Sequence, residues 1–260
     1  MNVAALRRPS SLRAAAAVPH RGVVEAATLL SLYGVYEVIR GRGDTTLAAA
    51  RAHTDDIVAL ERNLHVFGER AVQHAVHHLP GLPALLGASY LLLHFVGTTS
   101  FIVWTYRRRR EQFPFIRNTL IGATALALVG YIVFPAAPPR LSALGFSDTV
   151  SNGAHVNLSS NLLGSLYNPF AAVPSLHFGY ALIVGIGTAT LARHRLVRVA
   201  GAVYPLVMLF VIVATGNHFF FDAAAGALVV AIAALPAWTL SRRTERRARR
   251  PVYSSVVVPC

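Results

Sequence analysis

Residues 199–240 read VAGAVYPLVMLFVIVATGNHFFFDAAAGALVVAIAALPAWTL. Two apolar runs, Val199 to Ala214 and Phe221 to Leu240, flank the short polar segment Thr215-Gly216-Asn217-His218, and Asp222, the one charged residue in either run, opens the second. A helix that crosses a bilayer needs about 20 predominantly apolar residues, with about 17 tolerated. The stretch therefore reads as two membrane helices joined by a tight turn, with an imidazole and a carboxylate at the joined end. Ionisable groups beside apolar membrane helices are expensive and mark function when they occur.

Working outward, the chain has 260 residues, 54% hydrophobic and 13% charged, with mean hydropathy +0.50. Soluble domains carry about 25% charged residues, so the composition places the chain in the membrane class. Further runs occur at Gly22–Ile39 (which carries Glu25 and Glu37), Leu82–Trp104, Asn118–Phe134 and Leu176–Leu191. With the opening pair they predict an all-α bundle of six transmembrane helices over residues 22–240, between an N-terminal segment, 1–21, and a basic tail, 241–260. Ala14 to Val18 is too short for the apolar core of a signal peptide, so the first span is expected to be an uncleaved anchor. Cys260 stands alone, so no internal disulfide forms, and it lacks the three following residues that prenylation requires.

The net charge of +13 comes from 24 arginines and no lysine. A nucleic-acid surface would interleave basic residues with aromatics on a soluble face. Here the arginines flank apolar runs instead, as they do on the cytoplasmic side of membrane proteins. With the N-terminus inside, 18 arginines fall on inner segments and 6 on outer ones. The bias predicts an inner (plasma) membrane protein with both termini cytoplasmic and its long loops outside. In the first of these loops, Ile57, Leu60, Leu64, Phe67, Val72, Val76 and Leu79 recur near helical spacing, with Glu61, Arg62, Glu69, Arg70, Gln73 and His77 largely elsewhere. Asp55 to Leu79 is thus expected to be one amphipathic helix on the membrane surface. Residues 135–173, rich in Pro, Gly, Ser and Asn, read as an ordered loop or lid.

This topology brings Arg140, His177, His218 and Asp222 to one face. His218 and Asp222, four apart, share a side of their helix start, where a carboxylate fixes the imidazole tautomer and stabilises its developing charge. His177 titrates near neutrality and can protonate a leaving oxygen. Pro174 suits a first helical turn. Ser175 and Leu176, with the N–H groups opening that helix, make an anion site, to which Arg140 adds a planar cation. A nucleophile with its orienter, a general acid and an anion cradle are what a metal-free phosphoryl transfer needs. A transporter subunit or lipid-binding scaffold would leave the convergence of two histidines and an aspartate on one face unexplained.

These segments resemble the type 2 phosphatidic acid phosphatase superfamily, within it the bacterial branch similar to inositol phosphorylceramide synthases. Phe134 to Leu141 resembles that branch's first motif, Asn168 to His177 its second, and Thr215 to His218 with Asp222 and Gly226 its third. The resemblance implies His218 as phosphorylated nucleophile, Asp222 as its orienter, His177 as general acid, and a phosphate cradle of Arg140, Ser175, Leu176, Gly216 and Asn217. It implies a lipid-linked phosphate as substrate, with no cofactor and no metal. Two departures stand out: the first motif has no lysine, and Ile212 occupies the place of an arginine six residues before the nucleophile. Both favour the synthase-like branch over phosphatidic acid hydrolysis.

Other polar residues carry lesser expectations. Glu61 and Glu69 resemble acidic positions of the branch and are expected to reach the mouth of the site. His74, His77 and His78 lack the Cys or carboxylate that would complete a tetrahedral metal set and are expected among headgroups. His94 is expected to be a helix–helix contact, and Glu25 to lie at the cytoplasmic interface or against another helix. The oligomeric state has no signature in the sequence.

Overall fold

A computed structural model of the chain describes residues 10–41, 45–150 and 169–248. Helix α1 spans Ser10–Gly41, α2 Leu47–Asn63 and α3 Glu69–His77. Helix α4 runs Leu82–Arg108 with one π-helical turn at Leu93–Gly97. Four more follow: α5 Phe113–Val133, α6 Leu176–Leu191, α7 Arg195–Ala214 and α8 Phe220–Ala248. Among the described residues there is no strand, only an isolated bridge between Ala136 and Ala171.

Four helices, α4, α5, α7 and the Phe220–Arg242 part of α8, are long and apolar enough to cross a membrane. Helix α6 is apolar but has 16 residues, a length of about 24 Å at 1.5 Å per residue. It lies at the centre of the bundle, packed against α4, α5, α7 and α8, while α1 packs on α5. Helix α8 continues through the basic stretch that the sequence assigns to a separate tail, and α1 extends well before Gly22. Glu25 on α1 is held by Arg117 at the start of α5, whose guanidinium donates to both carboxylate oxygens at 2.6 and 2.7 Å. The predicted contact with another helix is therefore an ion pair.

The single amphipathic helix expected over Asp55–Leu79 is two helices. Helix α2 stops at Asn63, His65 takes a left-handed conformation with φ 58°, and α3 starts after Gly68. The phase also differs from expectation: Glu61, Glu69 and Gln73 are buried, whereas Leu60, Leu64 and Leu79 are exposed. In one continuous helix, Glu61 and Glu69 would lie about 12 Å apart along the axis. The break lets both reach the first turn of α8, where their carboxylates meet adjacent backbone groups.

The described part of the long loop, 135–150 and 169–173, is tied to α2 and α3. Ala137 N–H donates to the Ala50 carbonyl, the Thr54 hydroxyl donates to the Ala137 carbonyl, and Gln73 exchanges two hydrogen bonds with Ser147. Residues 151–168 of the predicted lid, including Asn168 of the second motif, lie outside the described residues. Below this layer Ile57, Val58, Phe146, Ala172, Val173 and Phe219 form a buried cluster. Burying a side chain such as Phe219, fully enclosed here, contributes about 1.5–3 kcal/mol. That anchors the residue next to His218.

Candidate active site

The turn between α7 and α8 sets the site. Gly216 has φ +71°, in the left-handed region that favours glycine, and its N–H donates to the Val213 carbonyl. The N–H groups of Asn217 and His218 both donate to the Ile212 carbonyl. The chain thereby reverses within a few residues and presents His218 at the mouth of α8.

Helix α8 begins in the interior, so its first N–H groups require acceptors. Three carboxylates supply them. Asp222 Oδ2 accepts from Phe219 N–H at 3.0 Å, the reach-back of a capping box. Glu69 Oε1 accepts from Phe220 N–H at 2.9 Å, and Glu61 Oε1 from Phe221 N–H at 2.6 Å. All three acids are buried and sit where the helix dipole favours negative charge. The expectation that Glu61 and Glu69 reach the mouth of the site becomes a specific role: they clamp the helix that carries Asp222.

Asp222 Oδ2 also lies 3.1 Å from His218 Nδ1. A carboxylate only accepts, so Nδ1 carries the proton and the Nε2 lone pair is left for chemistry. His218 is buried and Asp222 fully so. Across the site stands His177, in the first turn of α6, its ring centre 5.8 Å from that of His218.

His177 is sandwiched. The Tyr90 ring stacks on one side at 4.1 Å and the His94 ring lies at 4.1 Å as well, both from α4. The π-helical turn at Leu93–Gly97 contains His94; such turns recur at functional sites. The predicted helix–helix contact of His94 is thus a contact with the candidate acid. The Tyr90 hydroxyl lies 3.3 Å from His177 Nδ1. Acting as a general acid, His177 is the imidazolium: its Nδ1–H then donates to the Tyr90 hydroxyl oxygen, and the Nε2 proton is the one given up. Sequence reasoning missed Tyr90, because it stands 87 positions from His177 in a helix with no motif.

Of the predicted anion cradle, Arg140 is brought in firmly. Its N–H donates to the Gly216 carbonyl, its Nη1 donates to Asn217 Oδ1 at 2.5 Å, and its Nε lies 3.4 Å from Asp148 Oδ2. Asn217 Nδ2 donates in turn to the Thr215 hydroxyl. Asn217 Oδ1 thus holds the Arg140 guanidinium, and the Gly216 carbonyl holds the Arg140 backbone, at the turn. Ser175 is the N-cap of α6, its hydroxyl oxygen accepting from Phe178 N–H at 3.4 Å, which leaves the hydroxyl proton to donate elsewhere. Its own N–H donates to the Asp222 carbonyl, locking the second motif to the third. Gly226 permits this contact, since a Cβ there would stand 2.3 Å from the Ser175 carbonyl oxygen. Leu176, the first residue of α6, is buried beside them.

His74, His77 and His78 contact other groups. His74 and His78 meet edge to face at 4.3 Å on the exposed side of α3, and His77 Nε2 lies 3.2 Å from the Thr149 hydroxyl.

Burial, and a hydrogen bond with Glu69, push the Glu61 carboxyl up to about 8, the Phe221 N–H only partly opposing them. The folded chain then holds a proton that the unfolded chain, with an ordinary carboxyl, has released above about pH 5. Stability contributed by neutral Glu61 is present at low pH and is lost as pH rises through about 8. The unfolding midpoint should decline more steeply over this window in the natural chain than in Glu61→Gln, which keeps an acceptor for Phe221 but does not ionise. Parallel melting curves for the two proteins across pH would contradict it.

No curated protein and no solved structure matches the chain. A family comparison does: the description PAP2 superfamily matches residues 55–236, from the middle of α2 to the middle of α8, with every residue of the site inside it. With the third motif seated on a carboxylate-clamped helix and the second locked to it, the fold and the match agree, and the chain belongs to the PAP2 superfamily of lipid-phosphate phosphatases and phosphotransferases.

Proposed function

We propose that the chain transfers or hydrolyses a lipid-linked phosphate ester through a phosphohistidine at His218, without a metal. The observation that carries this reading is the buried His218–Asp222 pair facing His177. His218 Nε2 attacks phosphorus, and the N–P bond forms as the bond to the lipid oxygen breaks. His177 gives its Nε2 proton to that oxygen. Acting then as base, His177 takes a proton from water or an alcohol, whose oxygen attacks phosphorus and releases His218. Arg140, with Ser175, Leu176 and the opening N–H groups of α6, balances the charge on the phosphoryl oxygens.

Between acceptors, the reading favours an alcohol, as in inositol phosphorylceramide synthases, over water. The absence of lysine and the apolar Ile212 leave fewer cations for phosphate than a phosphatidic acid phosphatase motif has. Hydrolysis of a lipid or polyprenyl phosphate by the same residues is the second reading. In the membrane, α1 and α6 join the four long helices as spans. Both termini lie on the cytoplasmic side of the plasma membrane and the site on the outer side, in keeping with the arginine asymmetry.

The test is a product assay. Purified protein in lipid vesicles, with EDTA present, is given a lipid phosphate ester with and without a polyol acceptor. The expected result is a new phosphate ester of the acceptor, undiminished by chelator. Release of inorganic phosphate alone would establish the second reading. Loss of activity restored by a divalent ion would contradict the metal-free scheme.

A further inference from the structure

The end of the bundle remote from His218 carries a second feature. Helix α4 ends in Arg107 and Arg108, and the turn between α6 and α7 holds Arg193. Between them lies a cavity of about 690 Å³ whose walls include Phe101, Trp104 and Val197. A smaller one of about 410 Å³, completed by Val103, adjoins it and shares Ser100, Trp104, Arg107 and Arg108. None of the described residues lining either cavity is acidic. Arg109 braces the floor: its Nη2 donates to the Leu191 carbonyl, its guanidinium lies 5.9 Å from the Trp104 ring centre, and its Nε is buried without a hydrogen-bond partner.

We propose that the paired cavities hold one anionic diacyl phospholipid of the leaflet opposite the candidate active site. Its phosphate sits among Arg107, Arg108 and Arg193, and one acyl chain follows each cavity along either side of Trp104. The charge argument is direct: clustered guanidinium groups in a lining whose described residues include no acid bind a phosphodiester and gain nothing from a zwitterion's ammonium group. The shape argument is independent, because two apolar hollows meeting at one cationic rim match two chains on one headgroup. The volume of the larger is ordinary for a ligand site. The full length of α6, about 24 Å, separates this lipid from His218, so it is not the reacting phosphate, and the site stands whatever the substrate proves to be.

The chain has two tryptophans, so Trp238→Phe leaves Trp104 as a local reporter. The full chain in detergent micelles is titrated with phosphatidylglycerol or phosphatidylcholine carrying brominated acyl chains, which quench indole fluorescence on contact. Saturable quenching by phosphatidylglycerol is expected at a mole fraction roughly tenfold or more below that needed for phosphatidylcholine. Arg107→Gln/Arg108→Gln/Arg193→Gln should erase the preference. Arg243→Gln/Arg246→Gln/Arg247→Gln, which removes the same charge from the same end of the bundle on α8, should preserve it. Equal quenching by the two lipids in the natural background overturns the proposal without any charge variant. So does a preference lost equally in both triple variants, which would mark a diffuse basic surface.

Discussion

His218→Ala should lose on the order of 10⁶-fold or more in turnover, the scale seen when a covalent nucleophile is removed. The substitution deletes the atom that forms the N–P bond, so no rearrangement of Asp222 or His177 can replace it. Asp222→Asn should fall between this variant and the natural chain, losing about 10²–10⁴-fold, since it disturbs the tautomer and charge of His218 without removing the nucleophile. An asparagine side chain still has an oxygen to accept from Phe219 N–H, so the start of α8 should survive. Rates for both variants, measured on protein shown to be folded, check the order. Equal losses in the two would mean that Asp222 does more than orient His218.

His177→Ala should split by leaving group. General acid catalysis contributes about 10²–10⁴-fold, equivalent to about 3–5 kcal/mol of barrier, and the need for it scales with the basicity of the departing oxygen. A lipid alkoxide leaves poorly without a proton, so the full loss is expected on a lipid phosphate ester. A nitrophenyl phosphate releases a weak base, and there the loss should shrink to about tenfold or less. Tyr90→Phe should weaken the lipid reaction by less than His177→Ala, because it removes only the hydroxyl partner of His177 Nδ1 and leaves the proton donor in place. Equal losses for His177→Ala on both esters would mean that His177 acts in binding or as a second nucleophile.

How far the sequence reveals this site depends on separation along the chain. His218 and Asp222 are four residues apart at a helix start, so their pairing follows from helical geometry alone. Placing His177 and Arg140 on the same face needed only the count of apolar runs and the arginine asymmetry. The clamps from α2 and α3 were less accessible. Glu61 and Glu69 reach α8 across 160 and 151 positions, and they do so because the chain breaks at His65, a residue with no strong turn signature. Their burial also runs against pattern: a stretch rich in acids and arginines reads as a surface face, yet its acids point inward to satisfy the N–H groups of a buried helix start. The Tyr90–His177–His94 stack was hidden for a related reason. Regular α-helical phase does not foretell the π-helical turn at Leu93–Gly97.

The same geometry fixes what Gly216 and Asn217 hold within the protein. Both lie in the motif beside the nucleophile, which the resemblance places in the phosphate cradle. In the fold their polar groups are taken up by Arg140, Thr215 and the end of α7. Their substitution should therefore displace Arg140.

The central claim is the covalent intermediate. Purified protein in vesicles is mixed with a lipid ester carrying ³²P in the transferred phosphate, quenched with alkali within one turnover, and digested for mass spectrometry. An acid-labile, alkali-stable phosphate on His218, absent from His218→Ala, is the predicted result. Burst-phase product formation with no labelled protein, or label on any other residue, would contradict it.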